Sequence, residues 1–364
     1  MEKKLSDKIK HNLALPYAYE RLIKQDNSKK SPICVTIRPT SICNRHCTFC
    51  LCGTRNIEYH GEKLSSYVLA NCFSDFEAME IKGVTIAGGG EPTTINPDEF
   101  KPLFESPKIS IYLHTNGVLL HKFFPILLPN TKIINFSFIA HNTNLYNNIS
   151  QKINSNQFEQ VIANAINILH NDKFKEIQKQ AKILVTRENF QQFIEIYDFY
   201  RNLGFEKIKI SLAKNYEAGQ DCEISIQEKE QLKSILIGKI GIHEQTANNI
   251  IYGLDVSDFV PSRCWVSELG LYATIEPDGR VFHCSQWNTD NSVCLGNVNH
   301  QSFQSIWYAS TRSQIVENLN QRTQMKKCNF KLCRHYITNI AIDLMLNGKI
   351  LSEDIQKIPY SPFI

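Results

Sequence analysis

The sequence lacks a long hydrophobic run. Its most apolar stretch, residues 123–128 (Phe-Phe-Pro-Ile-Leu-Leu), is far shorter than the roughly 20 residues that cross a bilayer as a helix. The chain begins with Met1-Glu2-Lys3-Lys4 and continues into polar sequence, without the apolar segment of a secretory signal. We therefore expect a cytoplasmic protein that does not span a membrane.

The sequence also has little net charge. The formal charge is +4 over 364 residues, and the lysines are scattered along the chain. A protein that binds nucleic acid more often carries a basic stripe, so we expect no nucleic-acid partner. Apolar residues make up 42% and charged residues 21% of the chain, which is ordinary for a globular protein of one large or two moderate domains.

Cysteine, in contrast, is abundant, with 12 residues. Disulfides are rare in the cytosol, so we interpret most of these cysteines as metal ligands. Two groups stand apart in the chain and predict two metal centres. The first group is Cys43, Cys47 and Cys50, and the second is Cys264, Cys284, Cys328 and Cys333.

Short β-rich runs alternate with longer amphipathic stretches between residues 33 and 213. Six such units predict an α/β fold with a parallel sheet and right-handed crossovers, two units short of a closed eight-stranded barrel. The candidate strands are 35–40, 83–87, 110–114, 133–139, 181–186 and 207–212. We divide the chain into an amino-terminal segment (1–32), this domain (33–213), a connector (214–263), a second cysteine domain (264–346) and a tail (347–364).

Two motifs follow the first two predicted strands. Cys43, Cys47 and Cys50 have the spacing C-x3-C-x2-C after the first strand, and Gly88-Gly89-Gly90-Glu91-Pro92 follows the second. Together they resemble the signature of radical S-adenosylmethionine (radical SAM) enzymes. The resemblance implies a partial (βα)6 TIM-type barrel that is open on one side. It also implies a [4Fe–4S] cluster held by the three cysteines, with SAM bound to the fourth iron.

The same resemblance implies which residues contact SAM. Gly89 and Gly90 would face its ammonium group, where the absence of Cβ allows close approach, and Glu91 would lie beside that group. Thr115 and Asn116 match a position that contacts the ribose or adenine, although Thr-Asn-Gly is also a common turn. Ser137 matches a serine of the fourth strand, but Ile139 occupies the position that is often acidic.

From Cys264 onward the pattern changes to a β-hairpin around Pro277-Asp278-Gly279, followed later by Gly296-Asn297 and a final helix near 336–346. This region resembles the SPASM and twitch modules of radical SAM enzymes. The resemblance implies a second [4Fe–4S] cluster, held either by all four cysteines or by three of them with an exchangeable position, for which Cys294 is the first substitute. Structural zinc in the same four thiolates is the alternative. The four cysteines are Cys264, Cys284, Cys328 and Cys333.

The implied reaction is reductive cleavage of SAM to a 5′-deoxyadenosyl radical that abstracts hydrogen from a substrate C–H bond. The electron donor would be of the flavodoxin or ferredoxin type. Because only 42 residues precede Cys43, too few for a leader-binding winged-helix domain, we expect oxidation or epimerisation of a small sugar, cyclitol or nucleotide-like molecule. The alternatives are maturation of a ribosomally made peptide and a non-catalytic iron–sulfur protein. Cys222 is the candidate hydrogen donor of an epimerase, or else a surface thiol.

Overall fold

The computed structural model describes residues 15–23, 31–50, 61–127, 130–151, 156–215, 221–252, 260–330 and 333–349. Most of the expected amino-terminal segment and tail lies outside these ranges. Among the described helices, none is both long and apolar enough to cross a bilayer.

Six parallel strands form the expected partial barrel. Each strand pairs with its neighbour in chain order, so the sheet runs from β1 to β6 without a reversal. The strands β1 and β2 are buried along their whole length, as their continuous apolar sequence indicates. The six strands are β1 (Cys34–Ile37), β2 (Gly83–Ile86), β3 (Ser110–Thr115), β4 (Thr131–Phe138), β5 (Gln178–Val185) and β6 (Lys207–Leu212).

The predicted hairpin does not stand apart from this barrel. Its first strand, β7 (Tyr272–Ile275), pairs in parallel with β1, and β8 (Arg280–Phe282) and β9 (Cys294–Asn297) continue the sheet in antiparallel pairing. The result is one nine-stranded sheet in the order β6-β5-β4-β3-β2-β1-β7-β8-β9. The carboxyl-terminal module therefore extends the barrel on the side away from β6.

Helices cover the outer face of the sheet and enclose a core of apolar side chains that runs from β1 to β6. Local signals set several helix ends. The connector helix α7 begins with a capping box of Ser225 and Glu228, and α6 ends at Gly204 in the left-handed conformation. The connector holds a second helix, α8 (Glu244–Tyr252), which packs against α7. The helices are α1 (Leu15–Ile23), α2 (Ser66–Ala78), α3 (Lys101–Glu105), α4 (Thr143–Ser150), α5 (Gln157–His170), α6 (Phe193–Leu203), α7 (Ile226–Gly238), α8 (Glu244–Tyr252), α9 (Trp265–Glu268), α10 (Phe303–Trp307), α11 (Thr311–Gln324) and α12 (Tyr336–Leu346).

Candidate functional site

The first cysteine group lies in the loop after β1 and faces a cavity at the carboxyl ends of the barrel strands. In parallel α/β folds this end of the sheet is where ligands bind. The cavity brings together nearly all the predicted residues of the first site. Its lining includes Cys43, Cys47, Cys50, Gly88, Gly90, Glu91, Thr115, Asn116, Ser137 and Ile139, together with Arg45, His114 and Lys182.

Contacts from the barrel fix the cysteine loop. The backbone amide of His46 donates to Ser150 O (3.0 Å), and the amide of Thr48 donates to Ile149 O (3.2 Å), both at the end of α4. The side chain of Gln157 donates to the carbonyl of Asn44 (3.1 Å). A loop with no regular structure of its own thereby holds its three thiols toward the cavity.

Arg45, which the sequence analysis did not single out, is the buried cation of this loop. Its guanidinium donates to Asn116 O (2.7 Å) and Ser137 O (3.4 Å) and lies over the Tyr146 ring at 4.7 Å. Burial raises the pKa of the Cys47 thiol to about 12, and the charge of Arg45 acts in the opposite direction. The guanidinium therefore offsets part of the cost of negative charge on the cysteine sulfurs. The only sequence signal for this function of Arg45 was its position as a basic residue between two predicted ligand cysteines.

The glycine segment packs directly against the start of the cysteine loop. The amide of Gly90 donates to Thr40 O (2.7 Å), and that of Glu91 donates to Ile42 O (2.9 Å). A Cβ on Gly90 would lie 2.0 Å from Ile42 O, so no side chain fits there. A Cβ on Gly89 would lie 2.9 Å from Pro277 Cγ. The structure thus places Gly90 at the cavity and Gly89 against the turn of the carboxyl-terminal hairpin.

Glu91 organises the ends of β2 and β3. Its buried carboxylate accepts hydrogen bonds from the amide (3.2 Å) and hydroxyl (2.7 Å) of Thr93, the Thr115 hydroxyl (2.7 Å) and the Asn116 amide (2.7 Å). The Asn116 side chain then donates to Asn44 Oδ1 (2.7 Å) in the cysteine loop. Glu91 therefore orients the two residues that were predicted to meet the ribose or adenine, besides lining the cavity itself.

The side of the cavity formed by β3 and β4 is partly apolar and partly neutral polar. Ile139, which occupies the position that is often acidic in radical SAM enzymes, lines the cavity. His114 stacks on Tyr112 with ring centroids 4.3 Å apart, and its Nδ1 lies 3.1 Å from Asn135 Nδ2. Burial, with help from nearby cations, lowers the pKa of His114 to about 3. Its imidazole is therefore neutral at physiological pH.

The second cysteine group comes from four different places in the carboxyl-terminal module. Burial raises the pKa of each thiol for which a shift is resolved, to about 12 for Cys284, and the charges of the neighbouring cysteines raise it further. Because such charges act over short distances, the four predicted ligands lie near one another. Cys264 precedes α9, Cys284 follows β8, Cys328 follows α11, and Cys333 precedes α12.

Two of these cysteines form hydrogen-bond contacts with residues two or three positions further along the chain. Cys264 Sγ lies 3.2 Å from the Ser267 hydroxyl, and Cys284 Sγ accepts from the Gln286 amide at 3.4 Å. The proposed substitute, Cys294, lies at the start of β9, and its thiol donates to Gly296 O (3.3 Å). Within the described ranges, no three His, Cys, Asp or Glu side chains form a group that could hold a single metal ion. Four thiolates are also the donor set of an iron–sulfur cluster.

Cys222 and Arg187 lie away from the cavity lining that the structure describes. Cys222 is buried and not a surface thiol, because only 1% of its surface is exposed. Its Sγ donates to Lys214 O (3.5 Å) and Asn215 Oδ1 (3.3 Å) in the segment after β6. Arg187 forms an exposed ion pair with Asp221.

Comparison with known families and structures matches both halves of the chain. The family described as "Radical SAM superfamily" matches residues 37–200, and the one described as "Iron-sulfur cluster-binding domain" (SPASM) matches residues 264–334. No curated protein matches the chain.

Several solved structures share the fold. A structure of anSMEcpe with bound AdoMet aligns with a TM-score of 0.57 and 16% identity over 90% of this chain and 98% of that one. Another, with AdoMet and the Kp18Cys peptide, gives 0.55 and 17% over 83% and 88%. Streptococcus suis SuiB bound to precursor peptide SuiA gives 0.54 and 16% over 82% and 69%. At such identities the likeness establishes the fold, and the partial barrel predicted from sequence is confirmed.

Proposed function

We propose, because this chain belongs to the radical SAM superfamily and ends in a SPASM iron–sulfur domain, that it is an enzyme that abstracts hydrogen from a peptide substrate. The cofactors of such a chain are SAM, the [4Fe–4S] cluster that binds it, and auxiliary iron–sulfur chemistry in the SPASM domain. The first cluster, when bound, supplies the electron that cleaves SAM to methionine and a 5′-deoxyadenosyl radical, which takes hydrogen from the substrate.

The donor sets on the two sides of the molecule fit these cofactors. Cys43, Cys47 and Cys50 offer three thiolates to a four-iron cluster and leave one iron for SAM. The four thiols of the carboxyl-terminal module offer one sulfur for each iron of a second cluster. We assign these as the ligands of the auxiliary site: Cys264, Cys284, Cys328 and Cys333.

The remaining residues of the first site hold and shield SAM. The backbone of Gly88 and Gly90 gives a close approach to the cavity, while Glu91 fixes the positions of Thr115 and Asn116. Apolar side chains, among them Phe49, Ile139 and Leu184, line the same cavity. They exclude water from the place where a reactive carbon radical would otherwise be quenched. We also place Ser137 of β4 among the SAM contacts, because it lines the same cavity.

The choice of a peptide rests on the fold relatives. The structure of anSMEcpe with the Kp18Cys peptide aligns with 83% of this chain, and that of SuiB with precursor peptide SuiA aligns with 82% of it. This observation favours the peptide alternative over the small sugar, cyclitol or nucleotide-like substrate that the short amino-terminal segment suggested.

Label transfer tests this proposal. Anaerobically reconstituted protein is mixed with SAM, dithionite and either deuterated peptides or deuterated sugars and nucleosides. We expect deuterium in 5′-deoxyadenosine from the peptide pool, and none with the variant that replaces Cys43, Cys47 and Cys50 by alanine. Transfer from sugars or nucleosides alone would overturn the choice of peptide. Absence of 5′-deoxyadenosine from the intact protein would overturn the enzyme itself and favour a non-catalytic iron–sulfur protein. Replacing dithionite by reduced flavodoxin or ferredoxin tests the proposed type of electron donor.

A further inference from the structure

A buried histidine next to the second cysteine group has no hydrogen-bond partner for its ring in the described part of the chain. His335 follows Cys333 by two residues and directly precedes α12, and only 2% of its surface is exposed. Neither Nδ1 nor Nε2 of the ring has a partner. An imidazole always carries at least one N–H donor, and a buried donor without an acceptor is unfavourable. The ring therefore needs an acceptor other than the described protein groups.

Tyr272 of β7 joins this ring to the residues around Cys284. The rings of His335 and Tyr272 have centroids 4.7 Å apart. The carbonyl of Tyr272 lies 3.3 Å from Nδ1 of His283, the residue directly before Cys284. The other nitrogen of that ring, Nε2, accepts a hydrogen bond from Arg312 (3.1 Å). Of these two buried histidines, His335 is thus the one whose ring nitrogens lack partners.

The first turn of α12 also faces the residues around Cys264. The amide of Asn339 donates to His335 O (3.0 Å), so the two residues lie one helical turn apart, on the same face. The Asn339 side chain accepts a hydrogen bond from the amide of Val266 (2.9 Å), two residues after Cys264. Elements that carry three of the four predicted ligands therefore meet around the His335 ring.

A second donor without a partner lies at the same site. Trp287 packs in one apolar cluster with Cys264 and Cys294. Its indole Nε1 is buried and has no partner among the described residues, and this nitrogen can only donate. Trp265, which directly follows Cys264, differs because its Nε1 donates to Asp343 (2.7 Å). The unpartnered N–H of Trp287 is therefore not a common property of the tryptophans at this site.

We propose that the side chains of His335 and Trp287 donate N–H hydrogen bonds to sulfur atoms of the second [4Fe–4S] cluster and so raise its reduction potential. The sulfides and thiolates of a cluster accept hydrogen bonds, and they accept more strongly when the cluster has gained an electron. Such bonds therefore favour the reduced state. This inference rests on the cluster proposed for the site and deepens it, because it names the groups that set its electron affinity.

Redox titration of matched aromatic variants, followed by electron paramagnetic resonance, tests the proposal. His335→Phe and Trp287→Phe each keep an aromatic ring and remove the N–H. We expect each to lower the potential of the second cluster by about 30 mV, which is about a threefold change in the equilibrium for one electron, while the first cluster keeps its potential. His335→Gln retains an N–H donor and should restore most of the shift. Trp265→Phe is the matched control and should leave both potentials unchanged, because its N–H is already donated to Asp343.

The other outcomes separate this inference from the cluster assignment beneath it. An unchanged second potential in both phenylalanine variants, with full iron and acid-labile sulfide, would overturn the hydrogen bonds and leave the cluster standing. Equal shifts at both clusters would indicate a general structural effect and would also overturn the inference. Zinc without sulfide at this site would overturn the inference together with the cluster.

A measurement that keeps His335 and Trp287 in place covers the case in which a variant does not fold. In the full chain with Cys43, Cys47 and Cys50 replaced by alanine, only the second cluster gives a paramagnetic signal, and the histidines carry ¹⁵N. We expect a weak hyperfine coupling of the reduced cluster to a histidine nitrogen, typical of a hydrogen bond. A strong coupling would make a histidine an iron ligand, and no coupling would exclude the hydrogen bond. Either result overturns the inference for His335.

Discussion

The two cysteine sites of this chain are built in opposite ways. The first takes three cysteines from eight consecutive residues, 43–50, whereas the second takes four from a stretch of 70 residues, 264–333. The first loop has no regular structure and is held by hydrogen bonds from outside it. At the second site each cysteine lies at the end of a different element. A cluster in the first site would therefore bind to a single loop that the barrel already holds in place. A cluster in the second site would link the several elements that supply its cysteines.

The two sites also differ in the charged and titratable side chains that surround their cysteines. A buried guanidinium, Arg45, lies within the first cysteine loop. Beside the second site lie neutral imidazoles. Burial lowers the pKa of His283 to about 3, and its ring accepts a hydrogen bond from Arg312 (3.1 Å). The cation of the first site thus lies inside the cysteine loop, whereas near the second site Arg312 and Arg334 donate hydrogen bonds to His283 and Tyr272.

The largest difference between the sites should appear when single ligands are removed. Replacing Cys43, Cys47 or Cys50 by alanine should lower 5′-deoxyadenosine formation at least about a thousandfold, because the loop has no further cysteine in the described cavity lining. Melting temperature should change little. Buried Cys72→Ala in α2, far from both sites in sequence, is the control and should keep full activity. A first-site variant with normal turnover would refute the assignment of its ligand.

The second site should respond mainly in stability. Replacing Cys284 or Cys333 by alanine should remove about half of the iron and lower the melting temperature of the holoprotein by at least about 5 °C, since metal binding and folding are coupled there. Iron and acid-labile sulfide are measured after anaerobic reconstitution. If the second site contains zinc and no sulfide, the redox interpretation fails and the structural zinc alternative holds. Cys294→Ala tests the substitute ligand in the same assay.

The glycine segment couples the cavity to the cysteine loop, and this coupling can be tested separately. Gly90→Ala should slow 5′-deoxyadenosine formation about a hundredfold, because its Cβ would lie 2.0 Å from Ile42 O and displace the residue before Cys43. Gly238→Ala is the matched control, since a Cβ there meets nothing within 4 Å and alanine favours the helix. Equal rates for both variants would show that the segment tolerates displacement.

How much of this could be foreseen depends on the range of the signals. The six barrel strands and the first cysteine loop follow from periodicity and local spacing, and they were predicted close to their observed bounds. The parallel pairing of Tyr272 with Cys34 joins segments more than 200 residues apart and leaves no local pattern. The barrel and the hairpin were therefore predicted as separate units.

The candidate site shows the same limit at the level of single residues. Gly90 and Glu91 were predicted because they belong to a motif. Arg45 was missed, because its function depends on the carbonyls of Asn116 and Ser137, which only the fold brings near it. Sequence spacing identifies ligands that act in a fixed order along the chain, but not the contacts that hold them in place.

Arg45 allows a test of the electrostatic difference between the sites. Arg45→Met should lower the reduction potential of the first cluster by about 60 mV, which corresponds to about a tenfold change for one electron. The reason is that loss of a buried positive charge disfavours the reduced, more negative cluster. The second cluster should keep its potential. Exposed Arg201→Met on α6 is the control. Redox titration followed by electron paramagnetic resonance measures both clusters, and equal shifts at the two sites would remove Arg45 from this function.

The smallest effect is expected at Cys222, whose proposed function as a hydrogen donor stays a prediction. Its thiol is directed at Lys214 O and Asn215 Oδ1 and lies outside the cavity lining, so Cys222→Ala should change product formation less than about twofold. Some stability should be lost, about 1 kcal/mol, with the buried thiol and its hydrogen bonds. The reaction is run in deuterated water, and the product stereochemistry is determined. If the variant still forms 5′-deoxyadenosine but no longer delivers solvent deuterium to the product, Cys222 is the donor, and the segment after β6 must then move toward the cavity during turnover.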